Sequence, residues 1–206
     1  MNQYIAKKVS SEMTVDDVRW LSADEALLDY VWTDSFPSPY TTKARVVHSD
    51  EGITVLLYTD EWPIRVTAMS HGERVCDDSC MEMFLTPNSI DRDYMNFEIN
   101  PAGVALTAIG EKRNPGRRKI DIRAEGVRIE SRIIPERGWT VMLYIPYDFL
   151  SKNFSVCEKT VRANFTKCGN LTVKRHYSTW NPIPTPAPDY HRPEYFGEIH
   201  LSDEEI

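Results

Sequence analysis

The chain has 206 residues, 41% of them hydrophobic and 27% charged, with a formal net charge of −7. This composition fits one folded globular domain over residues 1–206 and excludes disorder, and the negative balance argues against nucleic acid, whose phosphates need a basic face. No apolar run approaches the ~18 residues of a membrane helix. The opening MNQYIAKKVSSEM lacks the apolar stretch of a signal peptide, so with Met1 as natural start the expectation is a cytoplasmic protein without membrane contact.

Residues 4–9 alternate apolar and polar side chains and predict a first strand. Thr14 ahead of Asp16-Asp17, and Ser22 ahead of Asp24-Glu25, are helix-start signals that predict two short helical turns before Tyr30. TDSFPSPY, residues 33–40, reads as a loop. From Thr42 the pattern becomes short β-type runs between turns: KARVVHS, ITVLLYT, PIRVTA, SCMEMFL, YMNFEIN, VALTAI, KIDIR, VRIESRII, WTVMLYI, VRANFTK, LTVKRHY and YFGEIHL. Roughly a dozen such runs, with one helix at Tyr147–Ser151, predict an all-β fold, specifically an antiparallel β-sandwich. Trp139, Val141, Leu143 and Ile145 alternate with Thr140, Met142 and Tyr144, as an antiparallel strand with one heavy inward face would. The basic EKRNPGRRK, 111–119, predicts a solvated turn around Asn114-Pro115-Gly116, with an anion-binding role as the second reading.

The four cysteines are Cys76, Cys80, Cys157 and Cys168. In extended chain the first two lie ~13 Å apart, beyond the ~7 Å a disulfide tolerates. None of the four has zinc-ligand spacing, so the expectation is four buried free thiols and no metal site.

HYSTWNPIPTPAPDYHRPEYFG, residues 176–197, carries five prolines. Proline lacks a donor and fixes φ, so this stretch predicts a stiff extended loop. It presents Tyr177, Trp180, Tyr190, His191 and Tyr195 either to a ligand or against the edge of the core.

The chemically unusual pair of strands is DDSCMEMFLTP followed by YMNFEINP. Strand parity puts Cys80, Glu82 and Phe84 on one face of the first, and Tyr94, Asn96, Glu98 and Asn100 on one face of the second. A hairpin centred near Ser89-Ile90 sets Glu82 opposite Asn96 or Glu98. Two carboxylates on one face need a cation, a shared proton or a hydroxyl-rich ligand, unless Arg162 or Arg65 neutralises them from a neighbouring strand.

DDSCMEMFL, Y-x-NFEINP-x-G, R-x-NFTKCG, HYSTWNP and DYHRPEYFG, in that order, resemble the motif series of family 9 carbohydrate-binding modules, in particular the free-standing bacterial branch called family 9-like. The resemblance runs from about Trp32 to Leu201. It implies a jelly-roll or immunoglobulin-like sandwich that binds saccharide without cleaving it, with a sugar unit between two aromatic rings and calcium nearby. Residue by residue, it carries the family's acidic position to Glu82, a polar position to Glu98 and one platform ring to Tyr190, with His191 beside it. The other platform, a tryptophan in the family, falls near Cys76, where no ring stands; Trp180 or Tyr177 would have to replace it.

The expected ligand set is therefore Glu82, Asn96, Glu98, Asn164, Lys167, Tyr177, Trp180, Tyr190 and His191, with a saccharide as partner and calcium as the metal left open. Rival readings are a glycosidase using Glu82 and Glu98 as acid and base, a haem-binding sandwich with Met and His ligands, and a protein-interaction domain.

Overall fold

The computed structural model describes residues 1–113 and 115–206; Asn114, in the expected basic turn, lies outside them. Strands account for 41% of the chain and helical turns for 10%, so the fold is all-β. The strands are β1 Gln3–Lys8, β2 Ala26–Leu27, β3 Thr42–His48, β4 Gly52–Thr59, β5 Cys80–Thr86, β6 Tyr94–Ile99 and β7 Ala105–Gly110. They continue as β8 Arg118–Lys119, β9 Arg128–Ile134, β10 Gly138–Pro146, β11 Thr160–Gly169, β12 His176–Thr179 and β13 Gly197–Glu205. One α-helix, α1, spans Tyr147–Asn153. Among the described residues no helix is long and apolar enough to cross a membrane.

Among the described residues the strands form one curled sheet in the order β8-β7-β6-β5-β11-β13-β1-β3-β4-β10-β9, with β12 on β11 and β2 on β3. The purely antiparallel expectation is corrected at one place. β1 runs parallel to both β13 and β3, because the first strand fills a seam between segments nearly the whole chain apart, a pairing that local alternation does not encode.

Alternation decides what each face buries. Trp139, Val141, Leu143 and Ile145 of β10 meet Met81, Met83 and Leu85 of β5, Met95, Phe97 and Ile99 of β6, and Phe165 of β11 in one apolar core. At ~25 cal/mol per Å², a fully buried side chain of this size contributes about 1.5–3 kcal/mol. The opposite face of β5 and β6 is not left to solvent. Loops carrying Trp32, Val75, Ile183, Tyr190 and Phe196 cover Phe84, Tyr94, Cys80 and Cys168 in a second apolar cluster. Every residue of β5 is therefore buried.

Several expected elements differ. PIRVTA forms no strand, because its N–H groups are taken elsewhere: Thr67 and Ala68 donate to the Asp78 carboxylate at 2.9–3.0 Å, and Arg65 donates to Ser79 Oγ at 2.9 Å. KIDIR stops after Lys119, where Asp121 accepts from Arg123 N and starts a 3-10 turn at Ile122–Ala124. LTVKRHY keeps only β12, since Thr172 Oγ1 ties Gly169 and Lys174 into a turn. Of the two early helical turns one exists, at Val18–Ser22 under an Asp17 cap, while Ala26–Leu27 pairs with β3 instead. Cys76 sits in a 3-10 turn, Val75–Asp77, not in extended chain. All four cysteines are free, with Cys80 and Cys168 buried and Cys76 and Cys157 half-buried.

Candidate functional site

The second face of β5, β6 and β11 positions the unusual residues. Register places Glu82 directly across from Glu98 on β6 and across from Thr166 on β11. Glu82 is 3% exposed. Its Oε2 accepts from Thr166 Oγ1 at 3.0 Å and its Oε1 from Cys168 Sγ at 3.0 Å, both neutral donors. Glu98 Oε1 accepts from Asn96 Nδ2 at 2.9 Å. Neither expected arginine reaches them: Arg65 lies 3.6 Å from Asp78, and Arg162 donates to the Pro193 carbonyl. Burial pushes the Glu82 carboxyl up, and burial with the nearby Glu82 charge does the same to Glu98. A carboxyl pushed up in this way takes a proton more readily, and in that form it both donates and accepts hydrogen bonds, which suits hydroxyl ligands.

Above the carboxyls lies a cavity of about 450 Å³, walled by Phe36, Tyr177, Tyr190, His191 and Cys76, with Arg74, Arg113 and Arg175 at its edge. Tyr190 donates its hydroxyl to the Lys167 carbonyl at 2.7 Å and packs against Trp32 and Phe84. It presents little more than one edge, at 8% exposure. His191 Nδ1 shares a 2.8 Å hydrogen bond with the Tyr94 hydroxyl. Burial and then Arg117 and Arg113 hold its ring at about 3, so it is neutral at pH 7. A second hollow of about 370 Å³, between Val9–Glu12 and Ser49–Glu51, has Tyr144 as its one ring and lacks a buried carboxyl.

Of the expected ligand set, Glu82, Glu98, Tyr177, Tyr190 and His191 come together at this cavity. Four others do not line it. Asn96 is buried behind Glu98, bonded to it and to Arg117. Asn164 shares the face of Glu82, but its amide is spent on the backbone of Asn181, at 2.8 and 3.0 Å. Lys167 has the parity of Phe165 and so projects into the core, where it pairs with Glu61 at 2.8 Å. Trp180 packs on Phe165 with ring centroids 5.5 Å apart; Gly197 permits this, since a Cβ there would meet the indole at 2.6 Å. The stiff loop therefore delivers Tyr190 and His191 to the cavity and Trp180 to the core.

Sequence reasoning missed Phe36. It lies in the loop before β3 and is 53% exposed at the cavity. Its φ of 58° is left-handed, which a bulky residue adopts only when surrounding bonds impose it. They do: Tyr177 N donates to the Phe36 carbonyl at 2.9 Å, and Ser38 N to the Tyr177 carbonyl at 3.2 Å. The Arg175 guanidinium lies 4.9 Å from the Phe36 ring centre. The φ > 0 aromatic had no local sequence signal, since it depends on β12 passing beside it.

Among the described residues, the group of His, Cys, Asp or Glu donors close enough to share an ion is Cys80, Glu82 and Cys168. Two sulfur donors do not fit calcium, which takes oxygen ligands. Asp78 does not fit it either, because its carboxylate is filled by N–H, hydroxyl and amide donors. The methionines on β5 and β6, Met81, Met83 and Met95, face the core and not the cavity, which takes them out of reach of a haem placed there.

A family model described as carbohydrate-binding family 9 matches residues 12–201. A crystal structure of a candidate carbohydrate-binding protein from Bacteroides uniformis is 26% identical, with TM-score 0.83, covering 97% of this chain and 99% of that one. Two structures of a family 9 carbohydrate-binding module from Caldicellulosiruptor kristjanssonii share the fold. The complex with cellotriose has TM-score 0.69 at 16% identity, covering 98% of this chain and 95% of that one. The complex with glucose has TM-score 0.67 at 15% identity, covering 98% and 97%. No curated relative matches the sequence.

Proposed function

Because this chain belongs to carbohydrate-binding family 9, we propose that it binds a saccharide unit in the cavity over β5 and β6, without cleaving it. The two halves of the curled sheet, facing each other across Trp139 and Phe165, serve as the family's sandwich. The observation that carries the reading is the cross-strand Glu82–Glu98 pair at the floor of an aromatic-walled cavity. Carboxyls with neutral partners offer both senses of hydrogen bond to sugar hydroxyls, while the exposed Phe36 ring supplies the apolar plane for the C–H face. Phe36 thus takes the part of the platform absent near Cys76, in the cavity that Tyr190 and His191 also line. Such a site is small and open, with affinity near millimolar to high micromolar, about 4–6 kcal/mol.

Both carboxyls approach from a single sheet face, about 4.5–5.5 Å apart at Cβ. A glycosidase needs its acid and its base or nucleophile on either side of the scissile bond, so binding is favoured over hydrolysis.

Calorimetric titration with glucose and with short β-linked glucans tests this. Binding should fall about tenfold or more in Phe36→Ala, since base–aromatic stacking, a comparable ring-on-ring contact, contributes roughly 1–3 kcal/mol per ring. Affinity unchanged in both Phe36→Ala and Glu82→Gln would remove the ligand from this cavity. Reducing sugar released by wild type and lost in Glu82→Gln would make the protein a hydrolase.

A further inference from the structure

The floor of the cavity contains more sulfur than saccharide binding calls for. Cys80 and Cys168 face each other across the β5–β11 ladder, and Glu82 follows two residues along the same face. One donor atom from each of the three lies within 4.8 Å of the others, and all three residues are buried. Cys168 Sγ is 3.0 Å and Cys80 Sγ 3.8 Å from Glu82 Oε1. A tetrahedral ion with metal–sulfur bonds near 2.3 Å and metal–oxygen bonds near 2.1 Å spaces its ligands by roughly 3.5–3.8 Å, so small rotamer adjustments bring the three donors into place.

We propose that Cys80, Glu82 and Cys168 hold one thiophilic divalent cation of the zinc type, with its fourth position open to the cavity. Three observations support the ion. The donors come from adjacent strands of a rigid sheet, which fixes their spacing before any metal arrives. Glu82 has hydroxyl and thiol partners but no hydrogen-bonded cation, so the ion would supply the missing positive charge. Glu82 and Cys168 also line the cavity, which gives the metal a path from solvent. Two thiols and a carboxyl select a soft or borderline ion over calcium or magnesium. On binding, each S–H bond gives its proton to solvent as a metal–sulfur bond forms. The fourth position faces Glu98, which is cross-strand from Glu82, or a hydroxyl of a bound molecule. The site rests on strand register and does not depend on the saccharide reading.

Titration of the full chain, stripped with chelator and kept reduced, with cobalt(II) tests the proposal. One equivalent should produce the near-ultraviolet thiolate charge-transfer band and the strong visible bands of tetrahedral cobalt, and zinc should bleach them. Cys80→Ser and Cys168→Ser should each lose the charge-transfer intensity in part, and the double variant entirely. Glu82→Gln should keep the thiolate band but bind at least tenfold more weakly. Cys157→Ser, beside Tyr147 and away from the cavity, should match wild type. If the cysteine variants fail to fold by circular dichroism, zinc should still raise the melting temperature of wild type, and that of Glu82→Gln only at zinc concentrations at least about tenfold higher. A missing thiolate band, a band that survives the double variant, or a Cys80–Cys168 disulfide that persists in reductant would each overturn the site. Saccharide titrations on the same samples separate the two readings, because the cobalt spectrum forms whether or not sugar binds.

Discussion

The two faces of β11 carry two buried carboxylate clusters with opposite solutions to the same problem. On the core side, Glu61 is fully buried and fully matched. Lys167 Nζ pairs with it at 2.8 Å, and Ser79 Oγ and Trp139 Nε1 donate to it at 2.9 and 3.3 Å. The ammonium spends its other protons on His176 Nε2 at 2.8 Å and the Cys168 carbonyl at 2.9 Å. On the cavity side, Glu82 and Glu98 are set against each other with hydroxyl, thiol and amide partners. A buried charge costs several kcal/mol unless it is paired. The matched cluster has nothing left to offer a ligand, whereas the unmatched pair is a standing demand for one. Of two equally buried acids, the one without a cation is the functional candidate.

The largest effect is expected at Lys167, the cation of the matched cluster. Lys167→Met leaves Glu61 uncompensated, and loss of one partner of a buried pair costs about 3–5 kcal/mol. A urea-unfolding midpoint close to wild type would show that the core cluster does not hold the fold.

Acid tests the same cluster more gently. Burial and then Lys167 pull His176 down from 6.5 to about 4, while Glu61 and the Lys174 carbonyl act the other way and the Tyr40 ring packs edge-on against the imidazole. The unfolded chain therefore takes up this proton first as pH falls. The contribution of His176 is complete above about pH 6.5 and is lost as pH drops toward 4, on the order of 3 kcal/mol in all. Melting curves across that window should flatten in His176→Gln, and an unchanged slope would refute the assignment.

Strand alternation made part of this contrast readable in advance. Parity alone placed Glu82 and Glu98 on one face, and they prove to be exact cross-strand partners. The same parity assigns Lys167 to the face of Phe165, away from Glu82, a reading that its place in the R-x-NFTKCG motif obscured. Trp180 was legible as buried only through Gly197, whose missing side chain makes room for it. Phe36, Cys76 and Arg113 reach the cavity from loops and short turns. Their positions depend on contacts made by distant strands, for which a sequence holds no periodic signal. The parallel β1 seam was hidden for the same reason.

At the cavity, Glu82→Gln keeps the volume and removes the charge-assisted hydrogen bonds, which carry about 1.5–3 kcal/mol. Saccharide affinity should drop tenfold or more, while thermal stability stays within about 1 kcal/mol or rises. A large loss of stability would make Glu82 a second Glu61. The smallest effect belongs to Tyr190→Phe, which deletes the 2.7 Å hydrogen bond to the Lys167 carbonyl that links the two clusters. It should cost about 1 kcal/mol of stability and leave saccharide affinity within about twofold, as the ring remains in place. Affinity lost together with the hydroxyl would show that Tyr190 touches ligand through oxygen.

The seam at β1 has a consequence for how the chain reaches this state. Gln3 pairs with Glu198 and Ala6 with Leu201, so β1 is bonded to β13, nearly two hundred residues later. During synthesis β1 has no β13 to pair with until residues 197–205 have emerged, and it waits beside β3 alone, to which it is tied by two residue pairs. Closing so long a loop is entropically slow. A nascent chain halted before Gly197 should therefore leave the amides of β1 open to hydrogen exchange while β4 and β10, already adjacent, are protected. The sheet closes when β13 reaches β1.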